Sequence, residues 1–119
     1  NPTSKKVLLF LPENELHELG LLFFCYLLKN KGYKTIYLGQ AVPLTDLPKI
    51  LVVSNPEILV CNVSNPMTIG DVDLFISKLK VVPFGKKVYI ASANIFELAP
   101  QLPQNFQLFA SLKQLAAAF

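Results

Sequence analysis

The fold is decided near the start of the chain, which reads Val7-Leu8-Leu9-Phe10-Leu11 and, after three further residues, Glu15-Leu16-His17-Glu18-Leu19-Gly20. The first stretch is an uninterrupted apolar run, which is typical of a strand covered on both faces in a parallel sheet. The second leads into another apolar stretch, residues 19–28, long enough to predict a helix. A strand followed by a helix is the repeating unit of α/β folds.

The same alternation continues through the rest of the chain, and glycine, proline and capping residues separate the segments. Regular βα alternation predicts a parallel sheet with helices on both faces. We therefore expect one flavodoxin-like, doubly wound domain over residues 1–119, with five strands in the order 2-1-3-4-5. The predicted strands are Lys6–Leu11, Lys34–Leu38, Glu57–Val63, Lys87–Ala91 and Phe106–Phe109, and the predicted helices are His17–Lys31, Thr45–Asn55, Thr68–Lys80 and one from Ser111.

Composition excludes several classes of protein. Hydrophobic residues make up 52% of the 119 residues, too many for a disordered chain. The longest apolar run, Leu19–Leu28, is about half of the ~20 residues that a membrane helix needs. Cys25 and Cys61 fall in a predicted helix and a predicted strand, so we expect buried free thiols. A cytoplasmic protein without membrane contact is the expectation.

The basic residues are all lysines. There are 11 of them and no arginine, and the net charge is +3. Arginine is the usual side chain for reading guanine and clamping phosphate, so its absence argues against sequence reading of DNA by this domain. Any DNA contact is expected through a separate upstream domain, with this chain as one part of a longer protein.

The charges separate along the predicted sheet. Most lysines fall at strand starts or helix ends, and most acidic residues fall at strand ends or helix starts. Complementation of helix dipoles is the simpler interpretation. The alternative is a lysine-rich pole that faces an acidic partner or the phosphates of nearby DNA.

His17 is the only histidine, and it follows a predicted strand. Ligands of open α/β sheets bind at the carboxyl ends of strands. Glu15 lies two residues earlier, so in extended chain its carboxylate can hold one ring nitrogen and leave the other for a metal. Gly20 allows another group to approach the helix closely. A surface or capping histidine is the simpler alternative.

These residues form a Glu-x-His-x-x-Gly pattern that resembles the lower-ligand motif of cobalamin-binding domains. A second stretch, Tyr37-Leu38-Gly39-Gln40 followed by Pro43-Leu44, resembles the version of that domain found in MerR-type transcriptional regulators. The resemblance implies that His17 is the lower cobalt ligand and that Glu15 orients it. It also implies a winged-helix DNA-binding domain ahead of the module.

Two later signatures of the family are changed in this chain. Where the family has a Ser-x-Leu element after the third strand, the chain offers Asn62 and, further on, Ser64. Where it has a glycine pair after the fourth strand, the chain has Ala91 and Ser92. By resemblance these four residues contact the nucleotide tail. The added Cβ atoms narrow the channel, so we expect weaker cobalamin binding than in relatives with the glycine pair.

Three functions compete at this stage. The first is an effector-binding domain of a MerR-type regulator, with or without bound cobalamin, that contacts other copies or domains of the same regulator. The second is a corrinoid-carrying component of a methyltransferase system. The third, a phosphoacceptor receiver, requires aspartates after the first and third strands, where this chain has Glu13 and Asn62. Catalysis by the chain itself is not expected, because nucleophile-elbow and phosphate-loop patterns are missing.

The helix after His17 is apolar almost all round. We expect the face through Leu22, Phe23, Tyr26 and Leu27 to be core. A helix without a polar face also indicates that part of its surface packs against another domain or subunit.

Overall fold

The computed structural model describes residues 5–11, 18–39, 44–63, 75–83, 85–92 and 102–119. Its centre is a five-stranded sheet in which every pairing is parallel and the strand order is β2-β1-β3-β4-β5. The predicted architecture and strand order are therefore confirmed. The strands are β1 (Lys6–Phe10), β2 (Lys34–Gly39), β3 (Ile58–Asn62), β4 (Lys87–Ala91) and β5 (Phe106–Phe109).

Four helices are described around the sheet: α1 (Leu19–Asn30), α2 (Leu47–Ser54, preceded by a 3₁₀ turn over Leu44–Asp46), α3 (75–79) and α4 (Leu112–Ala116). Ser111 caps α4 by accepting a hydrogen bond from the Gln114 amide. The sequence predicts Thr45 or Asp46 as the cap of α2, and Asp46 occupies that position, but its carboxylate makes no cap hydrogen bond. None of the helices in the described ranges is long and apolar enough to cross a membrane.

Strand alternation divides the core into two layers. Leu8, Phe10 and their neighbours face α2 and α3, whereas Val7 and Leu9 face α1 and α4. Burial on both faces explains why the strands read as continuous apolar runs. Cys25 belongs to one layer and Cys61 to the other, and both are buried free thiols, as predicted.

Lysines gather at the amino ends of the strands and bind backbone carbonyls at the end of α2. Lys6 Nζ lies 3.3 Å from the Ser54 carbonyl oxygen. Lys86 Nζ contacts the Pro56 carbonyl and lies 2.8 Å from Asn55 Oδ1. Cations at a helix C-terminus offset the negative end of its dipole, which favours the simpler interpretation of the lysine pattern.

The outer face of α1 corrects one expectation. Leu22, Phe23 and Tyr26 are exposed, and Leu27 is only half-buried, so the predicted core face is wrong. The residues that face the sheet are instead Leu21, Phe24, Cys25 and Leu28. Leu19 extends the exposed row, with 80% of its surface accessible. The spacing of the row, i, i+3, i+4 and i+7, is that of a helix packing face.

Candidate functional site

The candidate site lies at the edge of the sheet where the strands end. Because all five strands are parallel, residues from both family-like motifs meet at this edge. The described residues there are Leu11 after β1, Gly39 at the end of β2, Asn62 at the end of β3, and Ala91 and Ser92 at the end of β4. Glu15, His17 and Ser64 lie outside the described residues, so their proposed roles stay predictions.

A hydrogen bond joins the two motifs. Tyr37 Oη donates to Glu18 Oε2 across 2.6 Å, and both side chains are half-buried. Two effects raise the pKa of Tyr37 well above its usual value. Burial of the phenol is the larger effect, and the hydrogen bond to the Glu18 carboxylate is the next. The residue next to His17 is thus bound directly to the second motif. A short bond to a charged acceptor is among the stronger side-chain hydrogen bonds.

Gly39 has a backbone conformation that few other residues adopt. Its φ is +77°, and a Cβ placed there would lie 3.2 Å from Glu18 Oε2. Its carbonyl accepts a hydrogen bond of 3.0 Å from the Leu11 amide. Glycine is required here both for the positive φ and for the close approach of the Glu18 carboxylate.

Three of the four residues predicted to contact the cofactor tail lie at the ends of β3 and β4. Asn62 and Ala91 are partners in the parallel pairing of β3 with β4. Asn62 is half-buried, Ala91 is fully buried, and Ser92 is 3% exposed. The Ser92 amide donates to the Phe109 carbonyl across 2.8 Å, so its backbone continues the sheet toward β5. Asn62 therefore supplies an amide side chain at the end of β3, and Ser92 supplies a buried hydroxyl just after β4.

Gly20 faces α4, and a Cβ built on it would meet Leu112 Cδ1 at 3.4 Å. The close approach predicted for Gly20 is therefore made by a leucine of the same chain. Leu112 also packs against the buried cluster that contains Leu21, Ala91 and Leu115. Gly20 is exposed, and Leu112 is the neighbour that a Cβ there would meet.

These residues fit part of a corrinoid. Asn62 and Ser92 supply the amide and hydroxyl groups that a polar nucleotide tail requires. Leu112 contacts one side of Gly20, which is otherwise exposed. In the part of the chain that the structure describes, no group of three or more His, Cys, Asp or Glu side chains could hold a metal ion by itself.

Sequence reasoning missed the contacts of Tyr37 and Glu18. One signal was available for Glu18, which precedes a helix although glutamate is a poor capping residue. Its carboxylate makes no cap hydrogen bond and is directed to Tyr37 instead. Nothing in the local pattern indicated the contact between Gly20 and Leu112, which joins residues far apart in the chain.

Comparisons with known proteins give structural matches only. No family model matches the chain, and a search of curated proteins finds no match. A cobalamin-binding protein from Desulfitobacterium hafniense DCB-2 is 20% identical with a TM-score of 0.75, over 98% of this chain and 58% of that one. The monomethylamine corrinoid protein of Methanosarcina barkeri is 15% identical with a TM-score of 0.72, over 98% of this chain and 56% of that one.

The methanol:cobalamin methyltransferase complex MtaBC from Methanosarcina barkeri also matches. It is 17% identical with a TM-score of 0.70, over 100% of this chain and 49% of the matched chain. This chain thus spans about half the length of the solved proteins that it resembles. At these identities the likeness establishes the fold, which is that of the domains in these three structures.

Proposed function

We propose that this chain is a cobalamin-binding domain in which His17 is the lower cobalt ligand and Glu15 orients its imidazole. The observation that carries the proposal is the meeting of the two motifs at the carboxyl edge of the sheet, through the bond from Tyr37 to Glu18. The fold likeness to corrinoid proteins over nearly the whole chain supports it.

The residues of the chain would divide the work of binding. Gly20, Asn62, Ser64, Ala91 and Ser92 would contact the nucleotide tail, and His17 would donate one ring nitrogen to cobalt. The bound cofactor would supply the organometallic chemistry, while the chain would supply binding and orientation. Catalysis by the chain alone is not part of the proposal.

The finer proposal is an effector-binding domain of a MerR-type regulator in the cytoplasm. The resemblance of Tyr37-Leu38-Gly39-Gln40 to that class supports it, and so does the lack of arginine, because DNA would be read by a separate upstream domain. Other copies or domains of the same regulator would cover the exposed apolar row of α1. Without such cover the row leaves two large side chains, Phe23 and Tyr26, in water.

A second candidate is the corrinoid-carrying component of a methyltransferase system. The matches to a monomethylamine corrinoid protein and to a methanol:cobalamin methyltransferase complex favour it. The changed glycine pair, Ala91 and Ser92, disfavours it by resemblance. The full-length gene product distinguishes the two candidates. A winged-helix domain ahead of this chain identifies the regulator, whereas a different domain in that place favours the carrier.

The test is a titration of hydroxocobalamin and adenosylcobalamin into wild type and His17→Ala, followed by visible absorption. We expect wild type to displace the benzimidazole of the cofactor and the variant to lose that change while keeping its fold. Circular dichroism checks the fold. Identical spectra from both proteins would show that His17 is not the cobalt ligand.

A further inference from the structure

We propose that Tyr37 is a positioning residue for His17 and acts through Glu18. Gly39 contributes to the same positioning by holding Leu11, at the other end of the segment that contains His17. The inference rests on the proposed function for the identity of the ligand. It deepens that function by assigning a role to two residues of β2. The evidence comes from the described residues on either side of the segment 12–17.

The first end of this segment is tied to β2 through the backbone. Leu11, the residue after β1, donates its amide hydrogen to the Gly39 carbonyl across 3.0 Å. The register of β1 against β2 shifts between Leu9 and Phe10, so that Phe10 pairs with Gly39. The shift places Gly39 beside the exact point at which the chain leaves the sheet toward His17.

The second end is tied to β2 through side chains. Glu18 follows His17 directly, and its backbone carbonyl accepts the Leu22 amide in the first turn of α1. Its carboxylate caps no helix amide and receives the Tyr37 hydroxyl across 2.6 Å. Tyr37 is held in turn by packing against the buried cluster under α1. The segment therefore ends on a fixed point.

Gly39 lies next to both ends of the segment. Its carbonyl binds Leu11, and its Cα lies so close to Glu18 that a Cβ would be 3.2 Å from Oε2. Strand β2 thus fixes both the entry and the exit of the segment that contains His17. A metal ligand held by neighbours binds more tightly than a free one, because less conformational entropy is lost on binding.

The experiment uses the single histidine of the chain as its own reporter. One histidine gives one imidazole C2 proton resonance, so NMR reads the surroundings of His17 without any cofactor. Four variants are compared with wild type: Tyr37→Phe and Glu18→Ala, which remove the bond, Glu18→Gln, which keeps an acceptor oxygen, and Tyr26→Phe, which removes the hydroxyl of an exposed tyrosine on α1.

We expect Tyr37→Phe and Glu18→Ala to shift or broaden the His17 resonance, and Glu18→Gln and Tyr26→Phe to leave it close to wild type. Cobalamin titration should show an apparent Kd raised about 3- to 10-fold for the first two variants, which is the net range of an ordinary protein hydrogen bond. The double variant should be no weaker than either single one, since both remove the same bond.

An unchanged His17 resonance in folded Tyr37→Phe would overturn the inference. So would additive losses in the double variant, because they would show that the two residues act separately. If His17 of the wild-type protein does not bind cobalt, the proposed function is refuted. The NMR comparison, which needs no cofactor, still tests whether Tyr37 positions His17. The two proposals therefore fail in different measurements.

Discussion

Asn62 and Ala91 lie side by side at the ends of β3 and β4, and their strands continue into Val63 and Ser92. The Cβ of Ala91 is therefore part of a fully buried surface at the place where the family has a glycine. Any ligand that passes this point must accommodate both added side chains, at positions 91 and 92.

Replacing both residues by glycine, Ala91→Gly with Ser92→Gly, should tighten cobalamin binding, because it removes two Cβ atoms from the proposed tail channel. The cost is about 0.5–1 kcal/mol of stability for the strand position. Visible absorption measures the Kd, and urea unfolding measures the stability. Ala116→Gly, an alanine packed on the same cluster but in α4, is the control. Equal affinity of the double variant and wild type would mean that the channel does not limit binding.

Leu112→Ala should make cobalamin binding faster, because the Leu112 side chain borders Gly20, where the cofactor is proposed to bind. Loss of a half-buried leucine costs about 1–3 kcal/mol of stability, less than a fully buried one. Stopped-flow absorption measures the rate. Leu102→Ala is the matched control, since that partly buried leucine packs on the opposite layer of the core. If both variants bind at the same rate, α4 does not obstruct the site.

Truncation of the adjacent residues Phe23 and Phe24 should change the free energy of unfolding by very different amounts. Phe24 is 3% exposed and Phe23 is 62% exposed. Phe24→Ala should lower the free energy of unfolding by about 3–5 kcal/mol, and Phe23→Ala should change it by about 0.5 kcal/mol or less. Chemical denaturation measures both values in the isolated chain. A large loss for Phe23→Ala would place its ring in an interface that the chain forms with itself.

The Tyr37 hydroxyl should make stability fall at alkaline pH. Its pKa in the folded chain is raised, first by burial and then by Glu18, above the value of about 10 in an unfolded chain. Unfolding therefore releases a proton above that pH, and the stability that is fully present below it is lost as the pH rises. Tyr37→Phe should flatten this decline. Denaturation midpoints between neutral and alkaline pH measure it, and Tyr26→Phe is the control.

The sheet could be predicted almost residue by residue. Each strand is a mostly apolar run, and a proline or a polar residue such as lysine lies at or near its start. The predicted bounds of β4 and β5 match the structure, those of β1 and β2 differ by one residue at one end, and those of β3 differ by one residue at each end. Runs of this kind indicate buried strands of a parallel sheet, and the three central strands are buried along almost their whole length.

The face of α1 could not be predicted, because two of its rows have the same spacing. Leu21, Phe24, Cys25 and Leu28 repeat as i, i+3, i+4 and i+7, and so do Leu19, Leu22, Phe23 and Tyr26. Hydrophobic periodicity selects a row only when the opposite side of the helix is polar. The choice between them depends on the orientation of the helix on the sheet, which local sequence does not contain.

The site was predictable only in part for a related reason. The motifs predicted a site at the carboxyl edge of the sheet, and Asn62, Ala91 and Ser92 lie at the ends of β3 and β4, while their role in binding stays a prediction. The partners of Gly20 and Glu18 come from distant segments of the chain. Such contacts depend on how layers pack, and no spacing rule within a single helix or strand encodes them.

The two hydrogen bonds of β2, from Leu11 to Gly39 and from Tyr37 to Glu18, have a consequence for how this chain can change. The end of β2 holds both Leu11 and Glu18, so the packing of the core does not depend on how many residues lie between them. Closing a longer loop costs little, about 0.6 kcal/mol for each doubling of its length. Insertions between positions 12 and 17 should therefore be tolerated by the fold, while Gly39→Ala should not. The scaffold can accept a different ligand-binding loop without being rebuilt.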